Sequence, residues 1–136
     1  MHLKVSTIQK DSDIKKESCM NNKEIEIKNC SELCPMEFAM TQISGKWKLV
    51  ILWHIYDSEV MRYGELKRAV SGITDKMLSN QLKELVSDNI IHKEVYEEIP
   101  PKVEYTLTEY GKSLIPIMEM LFKWGKEQLI RLNNDK

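Results

Sequence analysis

The apolar residues of this chain switch once from a helical to a strand period, and that switch limits the possible folds more than any other feature. Leu78, Leu82, Leu85 and Val86 stand at i, i+4, i+7 and i+8. They form one stripe of a helix that starts after Thr74 and runs to about Asp88. Thr74 suits the N-cap, because its hydroxyl can satisfy an amide of the first turn. The period then becomes two. Ile91, Lys93 and Val95 alternate with His92, Glu94 and Tyr96, and a second run follows from Val103 to Leu107. Glu97-Glu98-Ile99-Pro100-Pro101-Lys102 lies between them, so the two runs predict a β-hairpin with a proline-stiffened loop.

Upstream of the switch, Tyr63 to Val70 predicts a helix with Leu66 and Val70 facing inward, broken by Ser71-Gly72. Gly72-Ile73-Thr74 is then a short turn between two helices. Val60 to Arg62 fits one short strand. Lys46 to Tyr56 is apolar almost throughout, which predicts a central helix ending at Asp57-Ser58. Pro35 suits the first turn of an earlier helix carrying Met36, Phe38, Ala39, Met40 and Ile43, interrupted at Ser44-Gly45. Downstream, Thr108 is expected to cap one long last helix reaching about Leu132. Leu114, Met118, Leu121, Trp124 or Gly125, and Leu129 form its stripe. Pro116 falls inside it and predicts a kink near 112–116. The order helix, helix, short strand, helix, helix, hairpin, helix describes an α+β, mainly helical chain on a winged helix-turn-helix plan. An unrelated small α+β domain is the competing reading.

With 136 residues, 42% hydrophobic and 30% charged, the chain suits one globular domain. No apolar run approaches the ~20 residues of a membrane-spanning helix, and no secretory h-region opens the chain, so the expected location is cytoplasmic. Residues 1–33 differ from the rest. They hold six Lys, six acids, no aromatic residue and two of the three cysteines. They are expected to be a polar extension, partly disordered, with a short strand near 24–28. Residues 34–136 would form the folded domain.

A net charge of −1 excludes a uniformly basic nucleic-acid coat, but not a local patch. Arg62 to Lys83 holds five basic and two acidic residues, net +3, whereas Glu84 to Glu109 holds two basic and seven acidic, net −5. If the leucine stripe is buried, Lys76, Ser79, Asn80 and Lys83 point outward together. Lysine suits phosphate, while Ser and Asn can reach base edges. An ordinary solvated helix face explains the charge equally well. The candidate contacts with double-stranded DNA are Arg62, Lys67, Arg68, Thr74, Lys76, Ser79, Asn80, Lys83 and Lys102. Lys102 sits beside Glu97 and Glu98, so the hairpin's contribution is expected to be minor.

A resemblance sharpens this reading. Cys34-Pro35-Met36-Glu37, Gly45-Lys46-Trp47, Arg62-Tyr63-Gly64-Glu65-Leu66, Gly72-Ile73-Thr74 and Leu82-Lys83-Glu84-Leu85 occur in order. Val95-Tyr96, Pro100 through Thr108, and Leu114 to Gly125 follow. This series resembles the HxlR-type family of bacterial regulators, MarR-like winged-helix proteins, over about two thirds of the chain. The resemblance implies a homodimer built from the first and last helices, a pseudo-palindromic operator, and repression as the common mode. It does not account for residues 1–33. Ile115, Phe122 and Trp124 also offer more apolar surface than a thin winged core can cover. Two-fold symmetry would set recognition helices roughly 34 Å apart. Four or five phosphates per subunit would give a salt slope of about −7 to −9.

Cys34 precedes Pro35 and so occupies a helix N-cap, where free amides and the helix dipole favour a thiolate. The resemblance implies a thiol-based sensor at this Cys-Pro position; a buried, inert cysteine is the alternative. Any disulfide must join Cys34 to Cys30, Cys19 or the same residue of a second subunit, since no cysteine follows it. Oxidation there would shift the halves of the dimer and change operator affinity. Metal binding lacks a C-x2-C motif or clustered His, and no cofactor fingerprint is present. His2, His54 and His92 make no catalytic motif, so an enzyme is not expected, and His54 reads as a hydrogen-bonded core residue. Trp47, Trp53 and Trp124 suit core packing, or else a ligand pocket at a dimer seam. A winged helix used only for protein contacts is a further alternative.

Overall fold

The computed structural model describes residues 33–136. The expected disordered extension, its strand near 24–28, and Cys19 and Cys30 all lie outside the described residues. The chain divides into two units, one ending at Ser44 and the other running from Gly45 to Lys136. In the described part of the first, α1 spans Pro35–Ile43, with Cys34 at its N-cap and Pro35 in its first turn.

The second unit contains α2 (Lys48–Ser58), β1 (Met61–Arg62), α3 (Tyr63–Ala69), α4 (Asp75–Ser87), β2 (Ile91–Tyr96), β3 (Lys102–Leu107), α5 (Glu109–Lys112) and α6 (Ile115–Asn134). The three strands form an antiparallel sheet in the order β1-β3-β2. Ile51, Leu52 and Ile55 of α2, Leu66 of α3, and Leu78, Leu82 and Leu85 of α4 make the core, closed by Ile90, Ile91 and Tyr105. The leucine stripe is therefore buried as its spacing predicts. Only Ile91 of β2 is buried, so this edge strand projects as a wing while Tyr105 of β3 reaches the core.

Several details differ from the sequence expectation. Helix α2 starts at Lys48 and continues through Ser58, stopping where Glu59 takes a positive φ of 66°. The kinked last helix is instead two helices. Thr108 caps only α5, its Oγ1 accepting from the Gly111 amide at 2.9 Å. Pro116 lies in the first turn of α6, where a missing N–H costs nothing, so it starts a helix rather than bending one. Of the predicted stripe only Met118 is buried; Leu114 is half-buried, while Leu121, Trp124 and Leu129 are exposed. His54 is half-buried on α2 and so is not the core residue expected. Among the described residues, no helix is long and apolar enough to cross a membrane.

Candidate nucleic-acid interface

Helix α4 is held from three sides. Thr74 Oγ1 accepts from the Met77 amide at 3.2 Å, capping the helix. The Tyr63 hydroxyl, from the start of α3, lies 3.2 Å from Asp75 Oδ1 and 3.1 Å from Ser79 Oγ. At the far end, the Lys48 ammonium meets Glu84 Oε2 at 3.1 Å. Beneath, Leu78, Leu82 and Leu85 are buried.

The opposite face carries Lys76, Asn80 and Lys83, all exposed. Spacings of four and three residues place them in one row. Ser79 is half-buried and shares a hydrogen bond with Tyr63, so its hydroxyl is less free than that of a solvent-facing serine. Thr74 is exposed, with its oxygen already used by the cap. Arg62 and Arg68 are exposed and Lys67 is half-buried, all on or beside α3. The Arg62 amide donates to Glu65 Oε1 at 2.9 Å, which closes the start of α3.

Lys102 is turned back onto its own hairpin. Its ammonium lies 3.5 Å from Glu104 Oε2 and 4.8 Å from the centre of the Tyr96 ring. Three residues escaped the sequence reading. Met77, exposed beside Lys76, adds an apolar group of the kind that meets thymine methyls. Tyr63 and Lys48 orient α4 without belonging to it. Lys48 had a readable signal, since a lysine set in a largely apolar helix needs an acidic partner where it is buried. Cys34 is exposed, and its carbonyl accepts from the Phe38 amide at 3.0 Å while its side chain makes no capping bond. Among the described residues, no three His, Cys, Asp or Glu side chains are grouped to hold a metal ion.

An exposed cationic row on the second helix of a helix-turn-helix pair, with a hairpin beside it, can enter the major groove of duplex DNA. Known proteins share the plan. A family profile described as HxlR-like helix-turn-helix matches residues 42–133. The chain is 46% identical over 95 residues to the HTH-type transcriptional regulator YybR of Bacillus subtilis, covering 70% of this chain and 75% of that one. It is similar to the structure of the redox regulator HypR in its oxidized form, with a TM-score of 0.66 and 46% identity, covering 69% of this chain and 96% of that one. The reduced form of the transcriptional regulator YodB from B. subtilis is also similar, with a TM-score of 0.59 and 33% identity, covering 70% and 93%.

Proposed function

The chain belongs to the HxlR-like helix-turn-helix family, and from that premise we propose that it is a homodimeric repressor whose grip on a pseudo-palindromic operator is set by the redox state of Cys34. It is a transcriptional regulator of the helix-turn-helix type, not an enzyme. The observation that carries the DNA-binding reading is the exposed row Lys76, Asn80, Lys83 opposite the buried Leu78, Leu82, Leu85. Lys76, Lys83, Arg62, Lys67 and Arg68 supply charge for phosphates, and Asn80 supplies a donor and an acceptor for a base edge. Thr74 and Ser79 stand at the same end of α4. Lys102 serves the wing itself more than the DNA. The polar extension 1–33 and the folded part 34–136 act as one chain in the cytoplasm, where the operator lies.

The dimer reading rests on α6, which leaves Met120, Phe122 and Trp124 exposed, more apolar surface than an isolated subunit needs to show. The redox reading rests on the exposed Cys34 at the start of α1 and on the likeness to HypR. The deciding experiment selects bound duplexes from a random pool, with and without reductant. Enrichment of one inverted repeat is expected, and diamide should change its retention. Cys34→Ser should bind the repeat and ignore diamide. An unchanged diamide response in that variant would refute the redox reading while leaving DNA binding standing.

A second reading keeps the regulator and replaces the thiol signal by a small apolar ligand. It is favoured by a cavity of about 220 Å³ lined by Leu49, Val50, Trp53, Met118, Leu121 and Phe122. The Trp53 and Phe122 rings stack there at 4.6 Å.

A further inference from the structure

The wing has two chemically opposite faces. The β2–β3 register pairs His92 with Thr106, Glu94 with Glu104 and Tyr96 with Lys102. Side chains directly across an antiparallel pair share a face, so these six lie together. Most of their polar groups are bonded to one another. His92 Nε2 lies 2.8 Å from Glu94 Oε2, and Lys102 is held by Glu104 and Tyr96. A hydrogen bond to Glu104 and the charge of that carboxylate push the Tyr96 phenol above its usual pKa, a sign of negative potential on this face. A phosphate approaching here would meet two carboxylates, and the one lysine on this face is already held by Glu104.

The other face pairs Lys93 with Tyr105 and Val95 with Val103. Lys93 there lines a cleft of about 350 Å³ together with Lys83 and Ser87 of α4. Tyr63, Ser79 and Tyr105 supply further hydroxyls, and no carboxylate is among the lining residues. The acid close by, Asp75, accepts from the Tyr63 hydroxyl. Lys83 and Lys93 are both exposed, and neither forms an ion pair with any described acid.

We propose that this cleft is a subsite for a backbone phosphate of duplex DNA, and that Lys93, not Lys102, is the cation through which the wing holds the operator. The inference rests on the DNA-binding reading above. Two ammonium groups that line one cleft from a helix and a strand suit a phosphodiester oxygen pair better than one lysine already bound to its own carboxylate. The cleft lies on the flank of the helix that carries Lys76 and Asn80, so one duplex can engage both.

The test measures the affinity of the full chain for its selected operator by fluorescence anisotropy across a salt series. Each phosphate contact contributes about 0.9 to the slope of log K against log salt. Lys93→Gln should flatten that slope by about 0.9 per bound subunit and weaken binding about eightfold per subunit at ~0.1 M salt. Matched and mismatched sequences should lose affinity equally. Lys93→Arg should restore the slope, and Lys102→Gln should leave it unchanged. A wild-type slope in Lys93→Gln, beside a flattened one in Lys83→Gln, would overturn the subsite and spare the DNA-binding reading. So would a flattened slope in Lys102→Gln alone. A wild-type chain that binds no duplex at any salt would remove both.

Discussion

Lys48 on α2 and Glu84 on α4 form a 3.1 Å ion pair in which the lysine side chain is only 9% exposed and the glutamate 46%. The pair ties α4 to the central α2. Under the proposed function it also neutralises an acid that would otherwise stand near phosphate. Because the lysine is buried and the glutamate is not, removing either has a different result. Glu84→Gln strands a buried ammonium and should cost about 1–3 kcal/mol, read as a lower urea midpoint. Lys48→Met should be nearly neutral for folding. It should still weaken operator binding at low salt, because Glu84 is then uncompensated, and the defect should fade as salt rises.

Gly111 of α5 packs directly on the Ile90 carbonyl, and a Cβ at this glycine would collide with that oxygen. The carbonyl accepts from the Thr108 amide at 3.1 Å and from Thr108 Oγ1 at 3.0 Å, so it is not free to swing away. Gly111→Ala should therefore destabilise the fold by about 1–3 kcal/mol, with an unchanged denaturant m-value.

Burial of Tyr105, with Tyr63 nearby, raises its phenol above the usual value of 10.0. The folded state thus holds this proton more tightly than the unfolded one. The associated stability is complete below the unfolded pKa and is lost as pH rises through the folded value. Urea unfolding at about pH 9 and about pH 11 should show a smaller alkaline loss in Tyr105→Phe than in the wild type. Equal losses would mean that this phenol does not titrate on unfolding.

Met120 and Trp124 of α6 are 74% and 62% exposed, one turn apart. Neither supports the core, so Met120→Glu with Trp124→Glu should leave the folded subunit intact. Sedimentation should show the mass falling from two chains to one, and the operator salt slope should drop by about half. A double variant that still sediments as a dimer would place the subunit contact elsewhere.

Lys76 and Asn80 stand on the same face of α4, and under the proposed function they meet different parts of the duplex. Lys76→Ala should flatten the salt slope by about 0.9 per bound subunit with little change in sequence preference. Asn80→Ala should keep the slope and relax preference at one position, by about 1–3 kcal/mol against competing bases. Selection of bound duplexes with each variant would show the difference.

Much of this protein is written locally. The spacing of Leu78, Leu82 and Leu85 settles which side of α4 is buried, and hence that Lys76, Asn80 and Lys83 are exposed, because a helix face is fixed by residues three and four apart. Thr74 and Thr108 mark helix starts through bonds made within one turn, and Pro35 does so through the amide hydrogen it lacks. What lay beyond reach depended on residues far apart in the chain. Pro116 looked like a kink because nothing local shows that α5 has already ended against Ile90. Lys102 and Lys93 both stand on strands, and alternation puts Lys93 on the side of Ile91 and Val95 without showing what that side meets. The β2–β3 register sets Lys102 against Tyr96 and Lys93 against Tyr105, and packing of the sheet on α4 makes the Lys93 face one wall of a cleft. The partner of Lys48 was equally hidden, since 36 positions separate it from Glu84 and only the docking of α2 on α4 joins them. Periodicity and capping are short-range properties that the chain carries at every point. Charge pairing and the choice of wing face exist only once the helices and sheet have packed.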